Sequence, residues 1–327
     1  MRKAAALAAQ LLVACGQGGS DQAGLPPPAQ APAFDLSTLC VSSACGSKAQ
    51  LLDIPGAENS LFTPDGRLFV SGSENVYEIT RDATGWHAAP LLAGSVNFGG
   101  LAQLGDVLYA NGFDGQLYAA RLTARPELAP IHPLGLAAPN GLSTGPDGEL
   151  YIVNGPLGSN LPDPKIVQLR LDPTNPMHVQ KQTDWLTTGP LTFPNGIQRR
   201  GRTLYFTVSE TLNVTFGAVH SVEILADGSA GAPHEVGSFD AIADDFGLAG
   251  DGFLIAYYGN GQIALMGADG GILDSTDPLS FENPSSVKLG RPPPFAPDEL
   301  VVTEKGVVGL PPTPGYGSKL SVFARNP

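Results

Sequence analysis

Charged residues are scarce in this chain of 327 residues: Asp, Glu, Lys and Arg together make up 15%, against the roughly one quarter usual in globular proteins. Basic residues are the scarcer kind, 18 against 31 acidic ones, so the formal net charge is −13. A nucleic-acid-binding surface must be basic to neutralise phosphates, and the charge balance therefore argues against a nucleic-acid partner. The hydrophobic share of 42% is too high for an intrinsically disordered chain.

Helical patterns are also missing. No segment of helical length shows an apolar period of 3.6 residues, and the 41 glycines and 30 prolines interrupt the chain too often for a coiled coil or a helical array. The apolar stretch at residues 4–14 is shorter than the roughly 20 residues that a membrane-spanning helix needs. These absences exclude helical fold classes and leave a chain rich in strands and turns.

The first 14 residues have the features of a signal peptide. Arg2 and Lys3 precede the apolar stretch at residues 4–14, as in secretory signals. The segment ends Leu-Val-Ala-Cys at residues 12–15, which resembles a bacterial lipobox and implies that Cys15 becomes an acylated N-terminus. The alternative is an ordinary signal peptide that happens to contain a cysteine. We expect an exported lipoprotein at the outer membrane or the periplasmic face, attached to the membrane only by its lipid anchor.

Residues 15–46 are expected to form a flexible tether. Residues 16–33 consist mainly of Gly, Gln, Ser, Ala and Pro with one charge, at Asp21, and cannot bury enough apolar surface to fold. Cys40 and Cys45 follow, and a close cysteine pair in an exported protein predicts a disulfide. A metal-binding pair is the alternative, disfavoured because no histidine or further cysteine lies nearby.

The remainder of the chain is a repeat. A small-residue turn, commonly Asp-Gly, precedes an alternating apolar strand in six copies anchored on a leucine, at Leu68, Leu108, Leu150, Leu204, Leu254 and Leu300. Asp-Gly between apolar alternations is a hairpin signal, and multi-stranded units of about 40–50 residues are typical of β-propellers. The repeat predicts an all-β, six-bladed propeller over residues 47–327, with four-stranded antiparallel blades around a central channel. Residues 49–52 are expected to pair with the strand at residues 319–324 and close the ring.

Four residues with side-chain oxygens share one position in this repeat. Glu58, Asn140 and Asp244 lie ten residues before their anchor leucine, and Asn195 lies nine before its own. This position starts the innermost strand, which lines the channel. Carboxylate and amide oxygens suit a hard cation, and Ca²⁺ tolerates such a mixed set. Turn formation alone is the alternative, but it does not account for Glu58.

Two segments resemble the senescence marker protein/gluconolactonase/luciferin-regenerating-enzyme-like family. They read Phe-Pro-Asn-Gly-Ile at residues 193–197 and Gly-Ala-Glu-Asn-Ser at residues 56–60, and the likeness spans about residues 50–310. The resemblance implies a six-bladed propeller whose channel holds one divalent cation through Glu58, Asn140, Asn195 and Asp244. Ca²⁺ is the expected ion, with Zn²⁺, Mg²⁺ and Mn²⁺ as alternatives. The resemblance also implies a general base at Asp244, for which Asp245 is the rival.

These residues predict metal-assisted hydrolysis of a small lactone or related ester, in which the cation polarises the carbonyl and an aspartate takes a proton from water. The sequence departs from the family pattern at Asn140. Sugar lactonases of the family show Asn-Asp-Gly there with an arginine two residues earlier, whereas this chain reads Ala-Pro-Asn-Gly at residues 138–141. The missing arginine argues against an aldonolactone substrate. The alternative function is a non-catalytic propeller that serves as a binding or scaffold module of the cell envelope.

Overall fold

A computed structural model describes residues 35–155, 163–189, 192–210, 216–308 and 314–327, all within one unit, Phe34–Pro327. The predicted signal segment and Cys15 lie outside the described residues. A short 3₁₀ helix, Leu36–Thr38, precedes the strands. None of the helices in the described ranges has the length and apolar character needed to cross a bilayer.

The strands form six four-stranded antiparallel sheets, the blades. Blade 1 contains β2 (Ser60–Phe62), β3 (Leu68–Ser71), β4 (Val76–Asp82) and β5 (Gly85–Pro90), and blade 2 contains β6 (Phe98–Leu104), β7 (Val107–Gly112), β8 (Gln116–Arg121) and β9 (Ala129–Pro133). Blade 3 contains β10 (Pro139–Thr144), β11 (Glu149–Asn154), β12 (Lys165–Asp172) and β13 (Asn175–Thr187), and blade 4 contains β14 (Thr192–Arg200), β15 (Thr203–Glu210), β16 (Gly217–Glu223) and β17 (His234–Phe239). Blade 5 contains β18 (Ala243–Ala249), β19 (Gly252–Tyr257), β20 (Gln262–Met266) and β21 (Ile272–Ser275), and blade 6 contains β22 (Pro284–Leu289), β23 (Leu300–Glu304), β24 (Lys319–Arg325) and β1 (Gly46–Asp53). The predicted six-bladed propeller is confirmed.

The anchor leucines lie in the second strand of each blade, where the hydrophobic core is deepest. Strands β3, β7, β11, β19 and β23 are buried along their whole length. One core cluster joins Phe69 of blade 1 to Phe98 and Leu108 of blade 2. Because the apolar clusters lie between neighbouring blades, each blade depends on the next for burial of its faces.

A β-bulge interrupts the innermost strand at the same position in blades 2 to 6, and in blade 1 Glu58 holds the equivalent position just before β2, where its N–H donates to Ser71 O at 2.8 Å. In blade 4, Pro194 pairs with Val208 and Ile197 with Phe206, so two residues of β14 oppose one of β15. The residues at this position, called here the first bulged residues, are Glu58, Gly99, Asn140, Asn195, Asp244 and Ser285. Bulges redirect side chains and are common beside functional sites.

The ring is closed by a strand from each end of the chain. β1 pairs antiparallel with β24, and Ala49 lies opposite Val322 as expected from the sequence. Lys48 of β1 also forms a 3.1 Å salt bridge with Glu304, which is fully buried on β23. Blade 6 is therefore completed only after the C-terminal strand has met the N-terminal one.

The segment before β1 is more ordered than a tether. Cys40 and Cys45 form the predicted disulfide. Leu39, Cys40 and Val41 are buried and pack into a core cluster with residues of blades 5 and 6. Core packing therefore begins before the predicted boundary at residue 47, because Leu39, Val41 and the cystine dock the end of the segment on the blades.

Candidate metal and catalytic centre

The four predicted ligands are the first bulged residues of blades 1, 3, 4 and 5. Glu58, Asn195 and Asp244 are only 3%, 8% and 7% exposed, and Asn140 is half-buried. The equivalent positions in blades 2 and 6 are Gly99 and Ser285, which offer no carboxylate or amide side chain. Four oxygen-bearing side chains therefore share one level of the inner strands, at the end of the channel where those strands begin.

Glycine follows two of these residues because neighbouring inner strands approach each other closely. A Cβ atom at Gly141 would collide with the main-chain oxygen of Asn195, and one at Gly196 would collide with the carboxylate of Asp245. The Asn-Gly pairs are therefore required by the packing of blade 3 on blade 4 and of blade 4 on blade 5. Turn formation alone does not explain them.

Side-chain hydrogen bonds tie the bulges of adjacent blades together. In four blades, the third residue after the anchor leucine donates to the main-chain oxygen of the first bulged residue of the next blade. These bonds are Ser71 Oγ to Gly99 O (2.6 Å), Asn111 Nδ2 to Asn140 O (2.8 Å), Thr207 Oγ1 to Asp244 O (2.6 Å) and Thr303 Oγ1 to Glu58 O (2.8 Å). These donors were not among the residues predicted from the sequence. Their constant position, three residues after the anchor leucine, could have identified them.

Thr207→Val should test this bonding. Thr207 is fully buried, accepts from Gly196 N (2.8 Å) and donates to Asp244 O. Valine would leave both main-chain groups without a partner, so we expect a loss of about 2 kcal/mol in unfolding free energy, measured by urea titration. Thr80→Val makes the same change at an exposed site on β4 and should be close to neutral. An equal effect of the two substitutions would contradict a positioning role for Thr207.

Asp244 and Asp245 have different surroundings. Burial, reinforced by the charge of Asp245, raises the pKa of Asp244 well above its ordinary value, while a hydrogen bond from Asn195 opposes the rise. Asp245 instead receives Lys288 Nζ at 2.7 Å and Ser286 Oγ at 3.1 Å. No salt bridge to Asp244 occurs in the described part of the chain. Asp244 therefore has no cationic partner among the described residues, whereas the carboxylate of Asp245 is paired with Lys288.

Glu58 forms an ion pair with Lys305, which directly follows β23. The ammonium group also lies 5.7 Å from the centre of the Phe113 ring. Burial lowers the pKa of Lys305 to about 7, although contact with the Glu58 carboxylate favours its charged form. This ion pair is not evident from the sequence, because 247 residues separate Lys305 from Glu58.

The donor set fits a divalent cation. The buried Oδ1 atom of Asn195 has no hydrogen-bond donor, and Asp244 beside it lacks a cationic partner within the described ranges. A hard cation would satisfy both groups, because amide and carboxylate oxygens are its preferred ligands. Among the described residues, no three His, Cys, Asp or Glu side chains form a metal-binding group, so such a site must use the amides as well. The ion pair between Lys305 and Glu58 would have to break before the Glu58 carboxylate could bind the ion.

No family model and no curated protein matches the chain. Its fold is similar to that of a gluconolactonase from Xanthomonas campestris, with 17% identity, a TM-score of 0.62, and coverage of 86% of this chain and 90% of that one. A putative gluconolactonase has 16% identity and a TM-score of 0.64, over 88% and 94% of the two chains. The calcium-binding protein regucalcin from Agrobacterium tumefaciens has 18% identity and a TM-score of 0.59, over 83% and 90%. At such identities the likeness shows the six-bladed fold.

Proposed function

We propose that this propeller is a metal-dependent hydrolase of small lactones or related esters. One observation carries the proposal: among the described residues, the buried carboxylate of Asp244 has no cationic partner and the adjacent Oδ1 of Asn195 has no donor, in the register shared with Glu58 and Asn140. The similarity in fold to gluconolactonases and to a calcium-binding propeller supports it. The chain lacks the arginine before Asn140, so we propose the lactone or ester class without a sugar requirement.

Glu58, Asn140, Asn195 and Asp244 would hold the cation, which when bound supplies Lewis acidity toward a substrate carbonyl. Asp244 would take the proton from the attacking water, and the cation held beside it would keep its carboxylate ionised, as a general base requires. Lys288 and Ser286 hold Asp245 in place, and the negative charge of Asp245 keeps the pKa of Asp244 high. Burial of these groups limits competing solvent and strengthens their electrostatic interactions.

The direct test is isothermal titration calorimetry with Ca²⁺, in parallel with a panel of lactones and aryl esters. We expect saturable binding that releases protons, because Ca²⁺ would displace the proton favoured on Asp244 in the ion-free protein. The measured enthalpy should therefore vary with the ionisation enthalpy of the buffer. Glu58→Gln should weaken binding by about tenfold or more, since it removes one of the site's carboxylates.

Glu78→Gln is the control, because Glu78 pairs with Arg67 on blade 1 and is not one of the bulge residues. Tight Ca²⁺ binding without turnover of any substrate would favour the binding-module alternative. The absence of binding by Ca²⁺, Zn²⁺, Mg²⁺ and Mn²⁺ would refute the metal-dependent enzyme.

We also propose that the protein is exported and anchored through an acylated Cys15. The support is the lipobox-like sequence at residues 12–15, outside the described residues. Palmitate should label the wild-type protein metabolically and should not label Cys15→Ala. Cys45→Ala is the control, since Cys45 is held in the disulfide. Equal labelling of the wild type and Cys15→Ala would show that the sequence is not a lipobox.

A further inference from the structure

A cavity lies at the end of the inner strands opposite to the bulge residues, next to the turns that follow those strands. Its volume is about 400 Å³, within the size range of small-molecule sites. It is lined by residues of blades 1, 2, 3, 4 and 6, among them Arg199, Arg291, Gln103 and Gln198. Arg199 lies four residues beyond Asn195 on β14, a distance of about 13 Å along an extended strand. The two arginines therefore lie away from Asn195, although Gln198 of the cavity wall donates to Asp245 Oδ1 at 3.4 Å.

The cavity has an excess of positive charge in an acidic protein. Two arginines line it, and none of its described lining residues is acidic. Arg199 Nε donates to Thr144 O and its Nη1 to Gly201 O, both at 2.6 Å, while Arg291 Nη1 donates to Thr63 O at 3.4 Å. Neither guanidinium forms a salt bridge within the described ranges, and both keep N–H groups that bond to no described residue. Guanidinium groups bind carboxylates and other oxyanions strongly.

The main-chain contacts of Arg199 orient its guanidinium without neutralising it. Burial lowers the pKa of Arg199 from its ordinary value, and the more distant charge of Glu149 opposes this effect. Arg199 is only partly buried, but even partial burial of a charge without a close counter-ion among the described residues has a cost. An anion in the cavity would compensate that cost.

Gln103 adds a requirement for a hydrogen-bond donor. Its Nε2 donates to Gly105 O at 2.8 Å, but its buried Oε1 receives no hydrogen bond from any residue that the structure describes. Buried acceptors are nearly always satisfied, so a ligand should bring a donor to this atom. An ammonium group would be repelled by the two arginines, whereas a neutral hydroxyl would supply the donor without repulsion.

Part of the cavity wall is apolar, formed by Leu61, Phe62, Leu101 and Leu142. A bare inorganic oxyanion would leave this wall uncovered, whereas a carbon skeleton would bury it. We propose that the cavity binds a small hydroxycarboxylate, with the carboxylate on Arg199 and Arg291 and a hydroxyl on Gln103. The inference does not depend on the metal site or on hydrolysis.

The test is calorimetric titration of the full chain with sodium gluconate in buffer containing a chelator, which prevents binding through a metal ion. We expect saturable binding, weaker binding of butyrate, which lacks the hydroxyls, and none of glycerol, which lacks the charge. Arg291→Met should weaken gluconate binding by about tenfold or more. Arg81→Met, at an exposed position outside the cavity, should leave it unchanged.

Gln103→Leu should bring gluconate and butyrate to similar affinities, because the acceptor that distinguishes them is gone. This variant replaces an unsatisfied buried group by an apolar one and should fold, so it complements Arg199→Met, which loses two structural hydrogen bonds. Failure of gluconate to bind, or equal binding by the wild type and Arg291→Met, would overturn the proposal. Inorganic phosphate binding more tightly than gluconate would replace it with a simple oxyanion site.

Discussion

Asp244→Asn should lower kcat/KM for lactone hydrolysis by about 10²- to 10⁴-fold while the protein stays folded. Asparagine has nearly the same shape as aspartate and keeps an oxygen for a cation, but it cannot accept the proton of the attacking water. Asp244 is the right target because it has no cationic partner among the described residues, whereas Asp245 is held by Lys288. Steady-state kinetics on the substrate with the highest turnover would measure the loss.

Asp245→Asn and Asp251→Asn are the matched controls. Asp245→Asn removes the charge that raises the pKa of Asp244, so it should shift the pH profile toward lower pH while retaining turnover. Asp251 is exposed in the turn before β19, and its substitution should be neutral. If Asp245→Asn abolished turnover and Asp244→Asn did not, the general base would be Asp245.

The pH dependence of stability gives a readout that does not require activity. Burial raises the pKa of Asp244 in the folded protein, so without a cation the folded state keeps a proton that the unfolded chain releases. The stabilising contribution is complete below the ordinary aspartate pKa and is lost as pH rises through the raised one. Asp244→Asn should flatten the unfolding free energy over that window in chelator. An unchanged pH dependence would mean that Asp244 is not the group titrating there.

Removal of residues 1–53 should abolish cooperative folding. Without β1, the edge of β24 loses its partner and the ring cannot close. The truncation also removes the buried Leu39 and Val41, and each buried aliphatic side chain contributes about 1.5–3 kcal/mol. Together with the lost strand pairing, this approaches the roughly 5–15 kcal/mol that stabilises a typical domain. Calorimetry should show no sharp thermal transition, and protease should digest the chain rapidly.

Three matched variants identify the cause. Removal of residues 1–34 alone, which keeps β1, should preserve the transition. A circular permutant that starts at Ile54 and carries residues 35–53 after Pro327 through a flexible linker should also fold, because Asn326 N already donates to Cys45 O at 2.9 Å. Lys48→Met should cost about 2 kcal/mol by leaving the buried Glu304 without its cation. Cooperative folding of the chain without residues 1–53 would show that five complete blades and a partial sixth suffice.

The fold could be predicted from the sequence because a propeller repeats one local pattern. The leucine anchors, the Asp-Gly turns and the two-residue alternation each act over a few residues, and their recurrence predicts six blades. The shared position of four residues could be predicted in the same way, because residues at the same offset in each repeat lie at the same height along the channel. These residues are Glu58, Asn140, Asn195 and Asp244. The Cys40–Cys45 disulfide could also be predicted, because the two cysteines are only five residues apart.

Contacts between distant parts of the chain were decided only by the tertiary structure. Lys305 pairs with Glu58 and Lys288 with Asp245 because blade 6 packs on blades 1 and 5. No lysine recurs at the equivalent positions of the other blades, so the repeat does not indicate these contacts. This packing separates the roles of Asp244 and Asp245, which are adjacent in the sequence and chemically identical there. Leu39 and Val41 are buried for a similar reason, because the surface that covers them belongs to strands more than 200 residues away. A local pattern can specify a strand and its register, but burial and charge pairing depend on which strands the closed ring brings together.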